Sequence, residues 1–275
     1  MTAITPSSIP RLLEPEELQS LLGNSNVLIV DLSNESLYRR AHIPGAIHLP
    51  GHLLNVGTPP APGKLPSLGQ LEKITGYLGL TPETHVVLCD DEGGGWAGRL
   101  AWTLDLLGYD NWSYLNGGMV AWLKEGFPTS DETQQPKSLT LQASIVNKTA
   151  QTDAETIIAE LGNPDFVIWD ARSPGEYRGD NVRSARGGHI PGAINLEWTQ
   201  LMDQQHNLRI RKDAQEIMDS LGLSQDKQVV THCQSHHRSG FTYMVARILG
   251  YKKISAYDGS WAEWGNREDT PVELG

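Results

Sequence analysis

Cysteine is scarce in this 275-residue chain, which has only Cys89 and Cys233. Two cysteines cannot build the disulfide framework of a small secreted protein, and their scarcity favours a reducing, cytoplasmic compartment. The N-terminus lacks the basic and apolar segments of a signal peptide. No apolar run approaches the roughly 20 residues that a membrane-spanning helix needs. We therefore expect a cytoplasmic protein that does not enter a membrane.

Positive charge is also in deficit, with 22 Lys and Arg against 33 Asp and Glu and a net charge of −11. This balance argues against nucleic acid or an anionic membrane as the main partner. A small anionic substrate is compatible with it, because a local basic pocket can form in an acidic protein. The sequence leaves the oligomeric state open, and our default expectation is a monomer.

The chain contains one long internal repeat. The apolar strand pattern that ends at Asp31 recurs at residues 167–170, and the His-Ile-Pro-Gly-Ala-Ile turn that begins at His42 recurs at His189. Repeats of this length are duplicated domains, because solenoid units have periods of roughly 20–50 residues. Strands alternate with helices in each half, which predicts an α/β fold of two domains, each a mostly parallel sheet flanked by helices.

We place the first domain at residues 1–130 and the second at residues 146–275. The intervening residues 131–145 begin with a polar stretch that contains Pro136, a composition typical of a linker.

The most distinctive polar stretch is Thr-His-Cys-Gln-Ser-His-His-Arg-Ser-Gly at residues 231–240. It follows the apolar residues 228–230 and precedes a segment, 241–249, with apolar residues three and four apart. This pattern predicts a buried strand, a tight loop and a helix. A thiol at the C-terminal end of such a strand lies where open α/β sheets bind ligands, and a helix N-terminus favours the thiolate. Cys233 is therefore our candidate nucleophile.

The rest of this loop is suited to binding an anion. Successive backbone N–H groups can surround a small anion, and an arginine adds a cation with bidentate geometry. The predicted substrate-binding residues of the loop are Gln234, Ser235, His236, His237 and Arg238.

Two other interpretations of the loop are weaker. Cys233 with His232, His236 and His237 has the donor atoms of a zinc site, but the spacing lacks a separated ligand pair and the rings of one tight loop would splay. A buried structural cysteine would belong in the core rather than in a polar loop before a helix. We predict no metal and no cofactor, and expect the imidazoles to supply positive potential and polar packing.

Arginines are enriched around this loop in the second domain. Arg172 stands where the first domain has Ser33, and Arg178, Arg183 and Arg186 follow it. Any one of them alone would be interpreted as a solvated surface charge. As a set around a thiolate they indicate an anionic substrate, and we predict Arg172 and Arg186 as further substrate-binding residues.

The carboxylates that end the first strand of each repeat, Asp31 and Asp170, belong to different domains. They are therefore not expected to form an acid–base pair. We expect each to accept hydrogen bonds from loop N–H groups or from a neighbouring arginine.

The corresponding loop of the first domain lacks this chemistry. Aligned on the strands, Cys89 lies opposite His232 and Asp90 opposite Cys233, whereas alignment on the helices places Asp91 there. A carboxylate at this position would repel an anion. The first domain is therefore predicted to be catalytically inactive, with Cys89 as a strand-end residue.

Taken together, these motifs resemble the tandem-domain rhodanese family, the thiosulfate sulfurtransferases. The resemblance rests on both Asp-ended strands, both His-Ile-Pro-Gly-Ala turns, the Asp-Asp-Glu-Gly-Gly-Gly-Trp loop of the first repeat and the Asp-Gly-Ser-Trp at residues 258–261. It spans nearly the whole chain. The Cys-Gln-Ser-His-His-Arg loop is similar to that of a bacterial subgroup of the family.

The resemblance implies two tandem rhodanese-like domains with the site in the cleft between them. It also implies a ping-pong reaction in which Cys233 attacks the outer sulfur of thiosulfate, releases sulfite and carries a persulfide. Cyanide or a cellular thiol then accepts the sulfur. The implied partners are a small anionic sulfur donor and a thiophilic acceptor.

Three alternatives accompany this interpretation. The loop differs from the Cys-Arg-Lys-Gly-Val-Thr loop of the mammalian type and from the Cys-Gly-Ser-Gly-Val-Thr loop of 3-mercaptopyruvate sulfurtransferases, so mercaptopyruvate is an alternative donor. A non-catalytic module for sulfur delivery or binding would usually lack the cysteine. A phosphatase of this fold needs five residues between cysteine and arginine, whereas four separate Cys233 from Arg238. That shorter loop suits a sulfur atom better than a phosphate, because small misplacements are costly in catalysis.

Overall fold

The structure is a computed structural model that describes residues 9–275, and these form two five-stranded parallel sheets. The first sheet has the order β1-β5-β4-β2-β3, and the second has the equivalent order β6-β12-β11-β7-β8. The strands of the first sheet are β1 (Leu12–Leu13), β2 (Val27–Asp31), β3 (Ile47–His48), β4 (His85–Cys89) and β5 (Trp112–Leu115). Those of the second are β6 (Gln151–Thr152), β7 (Phe166–Asp170), β8 (Ile194–Asn195), β11 (Gln228–His232) and β12 (Ile254–Tyr257).

Ten α-helices connect these strands within the described chain. Those of the first half are α1 (Pro15–Leu21), α2 (Glu35–Tyr38), α3 (Leu68–Leu78), α4 (Gly95–Leu107) and α5 (Gly118–Lys124). Those of the second are α6 (Ala154–Glu160), α7 (Pro174–Arg178), α8 (Ala214–Ser220), α9 (Arg238–Ile248) and α10 (Ser260–Trp264). The second half also has a short antiparallel ribbon of β9 (Met202–Asp203) and β10 (Arg209–Ile210). The predicted α/β fold of two domains is therefore confirmed.

The central strands β4 and β11 lie inside the molecule because helices cover both faces of each sheet. β4 is buried at all five positions, and β11 at four of five. Parallel strands buried on both faces are expected to read as continuous apolar runs. Residues 86–89 of β4 fit this pattern, whereas β11 is apolar only at Val229 and Val230. The outer face of each sheet packs against its own helices, with residues such as Trp122 in one domain and Trp264 in the other. The inner faces share one apolar cluster that spans both domains.

Helices α4 and α9 meet at the centre of this shared core, where two glycines allow close contact. A methyl group on Gly98 would overlap the carbonyl of Gly240, and one on Gly240 would lie 2.6 Å from the backbone nitrogen of Arg99. The domains are thus related by a local pseudo-twofold arrangement around these glycines.

Each domain also donates a backbone hydrogen bond to the turn that follows the last strand of the other domain's sheet. The backbone N–H of Leu65 donates to Asp258 at 2.8 Å, and that of Ile210 donates to Asn116 at 2.8 Å. Asn116 and Asp258 occupy equivalent positions, one residue after β5 and β12. These reciprocal contacts fix the position of the first domain against the second.

The segment between α5 and the 3₁₀ turn Lys148–Ala150 contains no helix. Its bounds as a linker, 131–145, and the domain limits stay a prediction. No helix in the described range 9–275 is long and apolar enough to cross a membrane.

Candidate active site

Cys233 directly follows β11 and opens the loop that leads to α9, the active loop of residues 233–238. The thiol residue is 1% exposed. Its carbonyl accepts the N–H of Trp261 at 2.9 Å, and its own N–H points at the hydroxyl of Ser260 at 3.4 Å. The cysteine is therefore fixed from both sides at the carboxyl end of a central strand, where parallel sheets place their ligands.

The environment of the Cys233 sulfur favours the thiolate. The Ser239 hydroxyl donates to Sγ at 3.4 Å, and the backbone N–H groups of Ser235 and Ser239 also point at it. Burial opposes the charged form, but the nearby Arg238 charge and these hydrogen bonds together lower the pKa of Cys233 below its ordinary value. A thiolate in such a loop is a nucleophile ready to attack.

Arg238 begins α9 and is held by a buried carboxylate. Both of its terminal nitrogens donate to Glu176, at 2.6 and 2.9 Å. Glu176 is in turn fixed by a capping box at the start of α7, in which it accepts the hydroxyl and the N–H of Ser173. Burial acts to raise the pKa of Glu176, but Arg238 and Ser173 lower it to about 2. The bidentate pair orients the guanidinium beside the thiolate.

His236 is the most constrained residue of the loop. It is fully buried and has a left-handed backbone with φ of 51°, which is uncommon for a residue with a side chain. Its N–H donates to Ser260 at 3.1 Å, and its Nδ1 lies 2.7 Å from the Ser239 hydroxyl. Because that hydroxyl donates its only proton to the sulfur, Nδ1 must carry a proton and donate to Ser239. The loop therefore orients the hydroxyl toward the thiolate.

The histidines around the active loop differ in their charge state. Burial lowers the pKa of His232 and, more strongly, that of His236, so both rings are neutral. His237 hydrogen-bonds Glu92 of the first domain. Burial disfavours the charged form of this ring, but the Glu92 carboxylate raises the pKa of His237 above its ordinary value. The expectation that all three imidazoles supply positive potential is thus wrong for His232 and His236, because burial disfavours their charged rings even though Asp170 lies 3.7 Å from His232.

The remaining loop residues contact their own domain and the neighbouring one. Gln234 donates to the Arg183 carbonyl and to the Ser184 hydroxyl, both at 3.3 Å. The Ser235 carbonyl accepts the Asn55 amide at 3.5 Å.

Arg172 and Arg186 are bound to internal partners. Arg172 is 1% exposed, pairs with Asp170 at 2.6 Å and donates to the Gly188 carbonyl at 2.8 Å. Arg186 donates to the carbonyls of Thr270, at 2.7 Å, and Trp264, at 2.9 Å. These contacts hold the segment around Gly188 and the C-terminal segment of the second domain in place. They do not join either guanidinium to the active loop. Their role in substrate binding stays a prediction that this geometry does not favour.

The other two arginines of the set lie at the surface. Arg178 pairs with Asp180 at 2.9 Å, and Arg183 lies 3.4 Å from Glu176 with its side chain 65% exposed. Asp31 and Asp170 accept the N–H groups of Ser33 and Arg172, as expected for strand-end carboxylates.

The first domain carries a carboxylate where the second has its thiol. The Asp90 carbonyl accepts the N–H of Met119 at 2.8 Å, the same contact that Cys233 makes with Trp261, so the strand alignment identifies Asp90 as the structural equivalent. Its side chain accepts N–H groups from Glu92, Gly94 and Ala97 at 2.8–3.1 Å. Burial raises the pKa of Asp90 to about 6. This loop therefore has its anion-binding groups filled by its own carboxylate.

Several residues of the site were not found from sequence. Ser239 and Ser260 contact the sulfur and the loop N–H groups, Glu176 holds Arg238, and Arg99 of the first domain donates to the His236 carbonyl at 3.5 Å. Ser260 had a usable signal, because it stands where the first repeat has Gly118, and both have positive φ. Ser239 lies only six residues from Cys233 in the same polar stretch, whereas Glu176 and Arg99 reach the loop through contacts between segments far apart in sequence.

No group of three or more His, Cys, Asp or Glu side chains in the described part of the chain is arranged to hold a metal ion. What the site offers is a loop of N–H groups, a stabilised thiolate and a fixed guanidinium. A site of this kind suits an enzyme that uses a cysteine thiolate as a nucleophile toward a small anionic substrate.

Comparison with known proteins gives the family. The rhodanese-like domain matches residues 14–125 and again residues 153–267, and the chain belongs to the rhodanese family. The predicted family is therefore confirmed, while the assignment to a subgroup by its active loop stays a prediction.

Relatives of similar length agree with this. The chain is 49% identical over 269 residues to the thiosulfate sulfurtransferase of Azotobacter vinelandii, with 98% of both chains covered. It is 46% identical over 268 residues to the thiosulfate sulfurtransferase of Pseudomonas aeruginosa, again with 98% of both covered. A solved EanB variant in complex with ergothioneine has a TM-score of 0.84 at 23% identity, over 96% of this chain and 70% of that one, which shows the shared fold.

Proposed function

We propose that the protein is a thiosulfate sulfurtransferase that works through a persulfide on Cys233. The observation that carries this proposal is the Cys233 sulfur itself, which is buried, receives the Ser239 hydroxyl and two backbone N–H groups, and lies near Arg238. The relatives from Azotobacter vinelandii and Pseudomonas aeruginosa, both named thiosulfate sulfurtransferase, support thiosulfate as the donor.

In the first half-reaction, the Cys233 thiolate attacks the outer sulfur of thiosulfate. A new S–S bond forms, the original S–S bond breaks, and its electron pair leaves with sulfite. Arg238 and the loop N–H groups stabilise the negative charge of the donor and of the resulting persulfide. Glu176 orients that guanidinium and is too deeply engaged by it to act as a base.

In the second half-reaction, a thiophilic acceptor such as cyanide attacks the outer persulfide sulfur. The S–S bond breaks and thiocyanate leaves. The electron pair of the broken bond stays on Cys233, which becomes the thiolate again. No external oxidant or reductant is needed, because the sulfur is transferred in the same oxidation state. The proposal includes the predicted cytoplasmic location, with a small anionic donor and a thiophilic acceptor as the partners.

Steady-state kinetics with thiosulfate and cyanide test this proposal. We expect thiocyanate formation with parallel double-reciprocal lines, as a ping-pong reaction requires. Cys233→Ser is expected to abolish turnover. Cys89→Ser is the matched control, because Cys89 is equally buried but lies at the end of β4 in the other domain. Intersecting lines, or turnover by Cys233→Ser, would refute the persulfide mechanism.

A further inference from the structure

Arg99 lies on α4 of the domain that lacks the cysteine, yet its guanidinium is buried beneath the active loop of the other domain. It is fully buried and donates to the carbonyls of Leu54 at 2.7 Å, Lys64 at 3.4 Å and His236 at 3.5 Å. Its Nε has no hydrogen-bond partner. A buried cation with this few partners costs several kcal/mol unless a negative charge is close by.

The cations around the active loop differ in whether a carboxylate neutralises them. Arg238 pairs with Glu176, and His237 pairs with Glu92. Lys64, on the neighbouring segment, pairs with Glu263 at 2.9 Å and lies 3.8 Å from Asp258.

Among the described loop-contacting cations, Arg99 has no carboxylate at salt-bridge distance, and its contacts there are backbone carbonyls. Within the described residues, Arg99 is therefore the cation at this loop that no carboxylate neutralises by direct contact.

The pseudo-twofold arrangement supplies an internal comparison. Gly98 and Gly240 are equivalent, so Arg99 corresponds to Phe241, and His236 corresponds to Gly94. Both members of the second pair have positive φ, and each packs against the residue from the opposite helix: His236 against Arg99, Gly94 against Phe241. The ring of Phe241 thus lies beneath the loop of the first domain, which carries the carboxylate of Asp90. The guanidinium of Arg99 lies beneath the loop of the second domain, which carries the thiol of Cys233.

We propose that Arg99 is a positioning residue for the sulfur-transfer reaction, which holds the active loop by the His236 carbonyl and compensates the negative charge of Cys233 in its thiolate and persulfide states. The left-handed backbone of His236 directs its carbonyl to Arg99 and its N–H to Ser260. The inactive domain thereby contributes a charge to the active one, which its loop chemistry alone would not suggest.

The electrostatic balance at Arg99 agrees with this assignment. Burial lowers the pKa of Arg99 to about 10, while the negative charges of Asp258 and of the Cys233 thiolate act in the opposite direction. In a site of low dielectric, an interaction between such charges is stronger than in water. The thiolate and the guanidinium therefore stabilise each other across the domain interface.

The inference rests on Cys233 as the nucleophile, and thiol titration tests it apart from turnover. The rate of Cys233 alkylation by iodoacetamide would be followed against pH by mass spectrometry in the wild type, Arg99→Met and Arg99→Lys. Arg99→Met removes the charge, and its alkylation midpoint is expected to rise by about one pH unit or more. Arg99→Lys retains the charge and is expected to recover at least half of that shift.

Arg247→Met is the matched control, since Arg247 also lies at the domain interface but pairs with Asp105 at 2.8 Å. It is expected to titrate like the wild type. Circular dichroism checks the fold, and Arg99→Gln replaces Arg99→Met if the latter does not fold.

The possible outcomes separate the two proposals. A folded neutral variant with the wild-type midpoint, or an equal shift in Arg247→Met, would overturn the role of Arg99. A wild-type Cys233 that titrates as an ordinary thiol and takes up no sulfur from thiosulfate would instead overturn the proposed function.

Discussion

The charge of Arg238 favours the Cys233 thiolate, Glu176 fixes the direction of its guanidinium, and in the proposed reaction Arg238 also binds the donor. We expect Arg238→Ala to raise the KM for thiosulfate roughly 10- to 100-fold, because a charge-assisted hydrogen bond contributes about 1.5–3 kcal/mol. Initial-rate measurements against thiosulfate concentration check this. Arg183→Ala is the control, since that arginine also approaches Glu176 but has a side chain 65% exposed, and it is expected to stay within about twofold. An unchanged KM in Arg238→Ala would remove Arg238 from the site.

Ser239 contributes a hydroxyl to the sulfur, whereas Ser235 contributes only its backbone N–H. Ser239→Ala removes a donor that stabilises the thiolate and is expected to raise the pKa of Cys233 by about one unit. Ser235→Ala keeps its N–H and is expected to leave the titration unchanged. Absorbance of the thiolate at 240 nm against pH, with Cys89→Ser as the common background, gives both values. Equal titration of the two variants would show that the Ser239 hydroxyl does not act on the sulfur.

At the residue scale, the sequence predicts which thiol reacts but not the direction of the arginines around it. The strand alignment correctly placed Asp90 opposite Cys233, because equivalent strands impose equivalent backbone contacts. Arg172 and Arg186 are predicted as substrate-binding residues from their proximity in sequence, whereas the structure shows them bonded to Asp170 and to backbone carbonyls. Sequence spacing gives the position of a side chain along the chain but not its partner.

Helices α4 and α9 set the distance between the domains, and their contact depends on the absence of two side chains. Gly98→Ala is expected to destabilise the protein by about 1–3 kcal/mol, because its new methyl group would overlap the Gly240 backbone. Gly69→Ala, in α3, is the matched control: no atom lies within 4 Å of its added methyl group, and it is expected to stabilise by up to about 1 kcal/mol. Urea unfolding of both variants provides the comparison. A Gly98→Ala protein as stable as the wild type would contradict the described packing.

The start of α9 shows what a sequence pattern misses at the element scale. Apolar spacing predicts this helix from Phe241, but α9 begins at Arg238. Its first turn consists of Arg238, Ser239 and Gly240, which carry no apolar periodicity. That first turn adjoins the active loop, so the pattern is weakest where the site lies.

The ion pair between His237 and Glu92 joins the two domains and makes the free energy of unfolding of the whole molecule depend on pH. Glu92 raises the pKa of His237 above its ordinary value of 6.5, so the pair stabilises the folded state fully below that value and loses its effect as pH rises through the folded pKa. His237→Asn is therefore expected to cost up to about 1 kcal/mol more at pH 6 than at pH 9, since both side chains are partly exposed.

Urea unfolding at the two pH values measures this difference. His52→Asn, an exposed histidine of the first domain, is the control and is expected to show no such dependence. A larger loss at pH 9 than at pH 6 for His237→Asn would reverse the assigned sign.

The two-domain organisation was visible in the repeated sequence, but the interdependence of the domains was not. A repeat shows that two units share a fold, and it carries no information on how their surfaces meet. The active loop proves to be supported from the other domain by Arg99, Asn55 and Glu92.

The mass of the protein after incubation with thiosulfate shows whether Cys233 carries the transferred sulfur. We expect the wild type to gain one sulfur atom, located on Cys233 by peptide mapping and lost again on addition of cyanide with release of thiocyanate. Cys89→Ala is expected to gain the same mass, and Cys233→Ala none. A wild type that gains no sulfur while turning over thiosulfate, or a Cys233→Ala variant that still gains a cyanide-labile sulfur, would contradict a persulfide on Cys233.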